Sequence, residues 1–159
     1  MVNDKEEVVS KVNILLVEDD NELLQALVDT LTIDKYVVHA VNTLAKAITC
    51  LKDNNIDLIV CDVNFNQEDK KCPLLTGLDF LKYTRENSMH FPFILMTAYA
   101  TVDKAVEAVK LGAIDYLVKP FEAEQLINIV RNNVKVRKED SIFVAIDDES
   151  VRVKPVSYT

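Results

Sequence analysis

Five short apolar runs alternate along the chain with segments whose apolar residues recur every three or four positions. The first run, Val12–Val17 (VNILLV), is nearly continuous, as in a strand covered on both faces. The apolar residues from Leu23 to Leu31 then follow at helical spacing. Because neighbouring parallel strands need long crossover connections, five such repeats predict an α/β fold. We expect a doubly wound five-stranded parallel sheet with helices on both faces.

The later repeats give the remaining elements and two segments outside the pattern. Strands are predicted at 36–41, 58–61, 93–96 and 114–118, and helices at 44–51, 78–83, 102–111 and 122–137. Gly112 is a natural left-handed stop for the fourth helix, and Pro120 closes the fifth strand. Asn64–Thr76 is a polar connection longer than the usual length of about 2–6 residues. Ser141–Val156 is typical of two short strands about a turn.

These patterns divide the chain into three parts. Residues 1–11 are expected to be an N-terminal tail, and residues 12–137 one domain with an inserted loop at about 64–76. Residues 138–159 are expected to be a C-terminal extension, either a hairpin or the start of an output domain.

Composition excludes several classes of protein. The 26 acidic against 18 basic residues give a net charge of −8, which argues against a surface that binds nucleic acid. No apolar run approaches the roughly 18–20 residues that cross a bilayer, so no membrane partner is expected. The three cysteines form neither an even disulfide framework nor a C-x-x-C pair. A reducing cytoplasm is therefore the expected location.

Reactive side chains follow four of the five predicted strands. The acidic triplet 18–20 (EDD) follows the first strand, Asp62 ends the third, Thr97 and Ala98 end the fourth, and Lys119 ends the fifth. Ligands of open α/β sheets bind beyond the carboxyl ends of the strands, so we expect these groups to converge. Packed carboxylates repel unless a cation lies among them, and oxygen ligands favour Mg²⁺. A carboxylate, a hydroxyl and an ammonium beside Mg²⁺ suit phosphoryl transfer.

Each group also has an ordinary structural explanation when it is taken alone. The acidic triplet is as compatible with capping the first helix as with binding a metal. Asp62 alone is an ordinary loop acid, Thr97 a helix cap and Lys119 a surface charge. Their joint occurrence at separate strand ends is what favours a site.

At these residues the chain resembles the receiver domain of bacterial two-component response regulators. The resemblance covers residues 12–137 and rests on ILLVEDD (14–20), DLIVCD (57–62) and ILMTAYATVDKAVEAVKLGAIDYLVKPF (94–121). The last motif is particularly similar to receivers of enhancer-binding transcriptional activators. The resemblance as a whole implies the flavodoxin-like receiver fold. It also implies a phosphoacceptor domain that controls an output such as transcription. Such a domain is no enzyme beyond self-directed phosphotransfer and autodephosphorylation.

The resemblance implies a role for each site residue. Asp62 would accept the phosphoryl group of a histidine kinase or phosphotransfer protein. Mg²⁺ would be held by Glu18, Asp19, Asp62 and the backbone carbonyl of Asn64. No organic cofactor is implied.

The resemblance also implies a switch. Lys119 would pair with the phosphoacceptor carboxylate and then with a phosphate oxygen. Thr97 would move toward the phosphoryl group, the Ala98 N–H would donate to it, and the ring of Tyr116 would follow Thr97. The output face would be the fourth helix, fifth strand and fifth helix, which also suit a homodimer. The output would be a domain in cis or a partner in trans.

The chain departs from the family pattern after the phosphoacceptor. Asn66 stands where the family has proline, and Gly77 comes fifteen residues after Asp62, so about 66–74 is an apparent insertion. Two other functions stay open. One is a phosphorylation-independent interaction module. The other is a haloacid-dehalogenase-type phosphatase, which needs an Asp general acid where this chain has Asn64.

Overall fold

The computed structural model describes residues 11–65 and 72–134. The elements are β1 (Asn13–Val17), α1 (Asn21–Ile33), β2 (Val37–Val41), α2 (Leu44–Asp53), β3 (Leu58–Asp62), α3 (Gly77–Glu86), β4 (Phe93–Thr97), α4 (Val102–Lys110) and β5 (Asp115–Val118). A final helix, α5, covers residues 123–134. Each predicted strand and helix is present, which confirms the alternation that the apolar patterns predict.

The strands form one parallel sheet in the order β2-β1-β3-β4-β5. Alternate residues of β1, β3 and β4 point to opposite faces, and each face carries a buried cluster. Leu15, Ile59 and Leu95 belong to the cluster that α2, α3 and α4 cover. The other cluster contains Leu16 and Val60, and α1 and α5 cover it. The doubly wound architecture is therefore confirmed.

The strand order locates the expected binding crevice. From β1 the chain passes to β2 on one side of the sheet and then crosses to β3 on the other side. The carboxyl ends of β1 and β3 therefore flank a switch point, where open α/β sheets bind their ligands. Glu18 and Asp62 lie at these two strand ends.

Two turns set the boundaries of neighbouring elements. The second strand begins at Val37 rather than Tyr36, because Lys35 adopts φ 68° and the Tyr36 N–H donates to the Leu31 carbonyl at 3.2 Å. Gly112 has φ 96°, which confirms the left-handed stop after α4.

The long connection after β3 is closed at its base. Asn64 and Thr76, the two ends of the polar connection predicted from the sequence, form an antiparallel bridge. Its residues 66–71 lie outside the described part, as do residues 1–10 and the hairpin predicted at 141–156. The proposed domain boundaries therefore stay predictions. Within the described ranges, no helix is both long and apolar enough to span a membrane.

Candidate functional site

The acidic triplet after β1 divides between two tasks. Asp20 is the N-cap of α1, and its Oδ1 accepts from the N–H groups of Glu22 at 3.0 Å and Leu23 at 3.2 Å. Glu18 is anchored by its own N–H, which donates to the Val41 carbonyl at 3.1 Å. Capping therefore accounts for Asp20, and it leaves the other two acids of the triplet for the site.

Three carboxylates meet at the switch point. Glu18, Asp19 and Asp62 each offer an oxygen, and these oxygens lie within 4.8 Å of one another. Glu18 is 1% exposed and Asp62 4%. The backbone N–H of Asn64 acts to lower the pKa of the Asp62 carboxyl. A donor set of carboxylate oxygens fits a hard divalent cation such as Mg²⁺.

Lys119 supplies the one positive charge that contacts this cluster among the described residues. Its Nζ lies 2.7 Å from Glu18 Oε2 and 3.3 Å from Asp62 Oδ1. The backbone N–H of Lys119 donates to the Thr97 carbonyl at 2.7 Å, which fixes the residue beyond β5. The resemblance implies that Lys119 pairs with the Asp62 carboxylate, and the structure shows Lys119 in contact with both Asp62 and Glu18.

Burial dominates the electrostatics of the site. It raises the pKa of Glu18 to about 7, an effect that the hydrogen bond from Lys119 opposes and the charge of Asp62 reinforces. Burial likewise raises the pKa of Asp62, with the charge of Lys119 opposing. Burial lowers the pKa of Lys119, but the hydrogen bond to Glu18 and the charge of Asp62 outweigh it, so that pKa is raised. The repulsion between carboxylates held this close together favours a bound cation.

The raised pKa of Glu18 predicts a pH-dependent stability in chelator. A carboxyl group whose pKa is higher in the folded than in the unfolded state contributes its full stabilisation at pH values below its unfolded pKa, which is 4.5 for Glu18. That contribution is lost as the pH rises through the folded pKa of about 7. The free energy of unfolding of Glu18→Gln, relative to wild type, should therefore rise between about pH 4.5 and 7. Urea unfolding in chelator measures it, and Glu86→Gln, whose side chain is 64% exposed, is the control. A difference that does not change with pH would contradict the assignment.

The end of β4 brings Thr97 beside β3, the strand that ends in Asp62. Asp62 is in register with Met96, so Thr97 is the next residue along the neighbouring strand. Thr97 is fully buried, and its Oγ1 accepts from the Tyr99 N–H at 3.0 Å. Ala98 follows on the exposed loop.

Tyr116 lies on β5, in register with Leu95 of β4. Its ring packs against the buried cluster on the α2, α3 and α4 face. Its hydroxyl is shielded from solvent and has no hydrogen-bond partner among the described residues. A buried hydroxyl without a partner costs free energy, so this inward position has a local penalty.

Comparison with known proteins decides the family. Residues 14–131 match the family described as the response regulator receiver domain. The chain belongs to this family. A receiver domain is the phosphoacceptor module of two-component signalling, a regulatory domain rather than a classical enzyme.

Relatives of this receiver domain are regulators. Response regulator protein FleR of Pseudomonas aeruginosa is 43% identical over 117 residues, which are 74% of this chain and 23% of that protein. Regulatory protein AtoC of Escherichia coli is 32% identical over 124 residues, 78% of this chain and 25% of that protein. The chain thus spans about a quarter of the length of these curated relatives.

A solved structure shares the fold. The receiver domain of the Francisella response regulator 1452 superposes with a TM-score of 0.72 at 26% identity. The match covers 80% of this chain and 99% of that one.

One residue of this receiver domain lies closer to the site than its position in the sequence suggests. Gly77 is fifteen residues from Asp62, yet its N–H donates to the carbonyl of Val63, the residue after Asp62, at 2.9 Å. In the sequence, Gly77 is distinguished only by its displacement through the insertion. The available signal was its type and place, since it is one of two glycines and immediately precedes the helical pattern that begins at Leu78.

Proposed function

We propose that Asp62 accepts a phosphoryl group from the phosphohistidine of a histidine kinase or phosphotransfer protein. The observation that supports this most is its environment: a carboxylate at the carboxyl end of β3, beside Glu18 and Asp19 and 3.3 Å from the Lys119 ammonium. An Asp62 oxygen attacks phosphorus and forms an O–P bond. The N–P bond breaks, and its electron pair remains on the imidazole nitrogen.

The neighbouring groups then have separate roles. Glu18, Asp19, Asp62 and the Asn64 carbonyl would hold Mg²⁺, which when bound neutralises charge on the phosphoryl oxygens. Lys119 pairs with a phosphoryl oxygen once the phosphoryl group is in place.

Two further donors complete the site. The Thr97 hydroxyl and the Ala98 N–H donate to the remaining phosphoryl oxygens. Attack of water on the phosphorylated residue reverses the signal by autodephosphorylation.

We also propose that Thr97 and Tyr116 carry the switch. When Thr97 turns toward the phosphoryl group, its hydroxyl leaves the Tyr99 N–H that it accepts from now. The Tyr116 hydroxyl, buried without a partner among the described residues, gains hydration if the ring turns outward. Phosphorylation thereby shifts a population between two states through contacts that only one state makes.

The output surface we propose is the α4-β5-α5 face. Large apolar side chains are exposed on α4, immediately before β5 and on β5: Val102 is 80% exposed, Val109 69%, Ile114 53% and Val118 46%. Such an apolar patch favours association with protein. We propose that it serves a homodimer and transmits the signal to an output domain in cis or a partner in trans. The setting is the bacterial cytoplasm and the output transcription, with no direct contact of this domain to nucleic acid.

Replacing Val109 with glutamate tests the dimer. We expect beryllofluoride with Mg²⁺, which mimics the phosphoryl group, to raise the dimer fraction of the wild type in sedimentation velocity. Val109→Glu should lower that fraction at least about tenfold, because a charge in an apolar interface loses its hydration. Lys52→Glu, on α2, is the control. A dimer of unchanged strength in Val109→Glu would rule this face out.

Beryllofluoride also tests the proposed site in solution. In ¹H–¹⁵N spectra with Mg²⁺, we expect the amides of residues 62–64, 97–98 and 116 to shift together. Without Mg²⁺, or in Asp62→Ala, these shifts should disappear. A wild-type spectrum that beryllofluoride leaves unchanged would favour the phosphorylation-independent interaction module instead.

A further inference from the structure

We infer that Gly77 is a positioning residue of the phosphoacceptor site. Its lack of a side chain allows the first turn of α3 to close on the backbone of Asp62 and hold residues 62–64 in place. This inference rests on the proposed role of Asp62. It assigns a function to a position that the insertion separates from Asp62 by fifteen residues.

The contact between Gly77 and Asp62 leaves no room for a β-carbon. A Cβ built on Gly77 would lie 2.1 Å from the Asp62 carbonyl oxygen, 2.9 Å from its carbonyl carbon and 3.0 Å from the Val63 Cα. All three are backbone atoms, so no side chain can swing aside to relieve the overlap. Gly77 is not among the residues with positive φ. Space, and not backbone conformation, therefore requires glycine here.

The strand on one side of this contact is fixed. β3 pairs with β1 and with β4, and the Val63 N–H donates to the Met96 carbonyl at 2.8 Å. The Asp62 carbonyl therefore cannot move far without breaking contacts in the centre of the sheet.

The helix on the other side is equally constrained. Thr76 Oγ1 accepts from the Asp79 N–H at 3.1 Å, and Asp79 Oδ2 accepts from the N–H groups of Leu75 at 2.9 Å and Thr76 at 3.0 Å. This capping box fixes the start of α3. The bridge between Asn64 and Thr76 then ties that start to the site.

The consequence falls on Asn64 and Asp62. Asn64 pairs with Thr76, the residue before Gly77, and the Asn64 carbonyl is a proposed metal ligand. A β-carbon at position 77 would force the two backbones apart by about 1 Å. A displacement of this size at a reacting or ligating group lowers the metal affinity or the reaction rate about 10–100-fold.

Alanine substitution of each glycine in turn distinguishes an effect on the geometry of the site from a general loss of stability. In Gly112→Ala the backbone is strained at φ 96°, and the new Cβ lies 3.0 Å from Arg85 Nε. Position 112 precedes β5, however, whereas Lys119 follows the other end of that strand. We expect Gly112→Ala to unfold at a lower urea concentration than wild type. Its Mg²⁺ affinity should stay within about twofold of the wild-type affinity, since the strain and the contact with Arg85 lie away from the site. Gly77→Ala should bind Mg²⁺ and take up phosphoryl from acetyl phosphate about 10–100-fold less well. Equal Mg²⁺ affinity in Gly77→Ala and wild type, or equal losses in both variants, would overturn the inference.

A second pair of variants covers the case in which Gly77→Ala does not fold. Asp79→Ala removes the acceptor that holds Leu75 and Thr76, whereas Asp79→Asn retains an acceptor oxygen. Mg²⁺ affinity should fall in the first and recover at least partly in the second. Unchanged affinity in Asp79→Ala would overturn the inference. A wild type that takes up no phosphoryl group would overturn the proposed function itself, whereas normal uptake in all variants would overturn only the role of Gly77.

Discussion

Asp62→Ala is expected to abolish phosphoryl uptake from acetyl phosphate. In the wild type, one phosphoryl group should add about 80 Da to the intact mass by the proposed transfer. The neighbouring acid Glu18 is a poor substitute, because Oε2 lies 2.7 Å from Lys119 Nζ and Oε1 accepts from the Asp20 N–H at 3.2 Å. Intact-mass spectrometry over a time course measures the loss.

The Asp62→Ala variant should still fold, which makes the loss of uptake interpretable. Lys119 retains Glu18 at 2.7 Å, so no buried ammonium is left unpaired. Asp29→Asn, an exposed carboxylate on α1, is the control and should keep wild-type uptake. An adduct at the wild-type level in Asp62→Ala would place the phosphoacceptor elsewhere.

Lys119→Ala is expected to have the second large effect, on both stability and transfer. It leaves Glu18, 1% exposed, and Asp62 as buried carboxylates without their cation. Removing one partner from a buried ion pair costs about 3–5 kcal/mol of unfolding free energy. Phosphoryl uptake should fall about 10²–10³-fold, the usual effect of losing one donor to a developing charge.

The stability loss in Lys119→Ala should grow with pH. Both carboxylates already have raised pKa values, and removing Lys119 takes away the groups' main opposing contacts. At about pH 5 protonation relieves the repulsion, whereas at about pH 8 it does not. Urea unfolding in chelator at both pH values measures the difference.

A second lysine provides the control. Lys82 forms an i,i+4 pair with Glu86 at 4.0 Å, and both side chains are more than 60% exposed. Lys82→Ala should therefore change the free energy of unfolding by no more than about 0.5 kcal/mol. If Lys119→Ala were as stable as Lys82→Ala at the higher pH, the contacts of Lys119 with Glu18 and Asp62 would not stabilise the fold.

The fold could be predicted from the sequence because its three central strands, β1, β3 and β4, are buried on both faces. Val12–Val17 is a nearly continuous apolar run, DLIVCD has four apolar residues between its two acids, and helical spacing follows each, so the order and class of the elements could be predicted. The convergence of Glu18, Asp62 and Lys119 also followed, since parallel strands end at one edge of a sheet.

The finer geometry depends on contacts that spacing does not contain. Which acid of the triplet caps α1 depends on the directions of the side chains after Val17, and Asp20 has that place. The shorter contact of Lys119 is with Glu18, 101 residues away, and no local pattern ranks the two carboxylates. The contact of Gly77 with Asp62 could not be predicted from the sequence, because the insertion places the two residues far apart along the chain. The bridge between Asn64 and Thr76 brings the two ends of the insertion together.

Chemical trapping of the phosphorylated residue tests the central claim most directly. Wild-type protein is incubated with acetyl phosphate and Mg²⁺ and reduced with borohydride, which converts an aspartyl phosphate to homoserine. Peptide mass spectrometry then locates the modified residue. We expect homoserine at position 62, dependent on both acetyl phosphate and Mg²⁺. Homoserine at another aspartate, or none while the intact protein carries phosphate, would contradict the assignment of Asp62 as the phosphoacceptor.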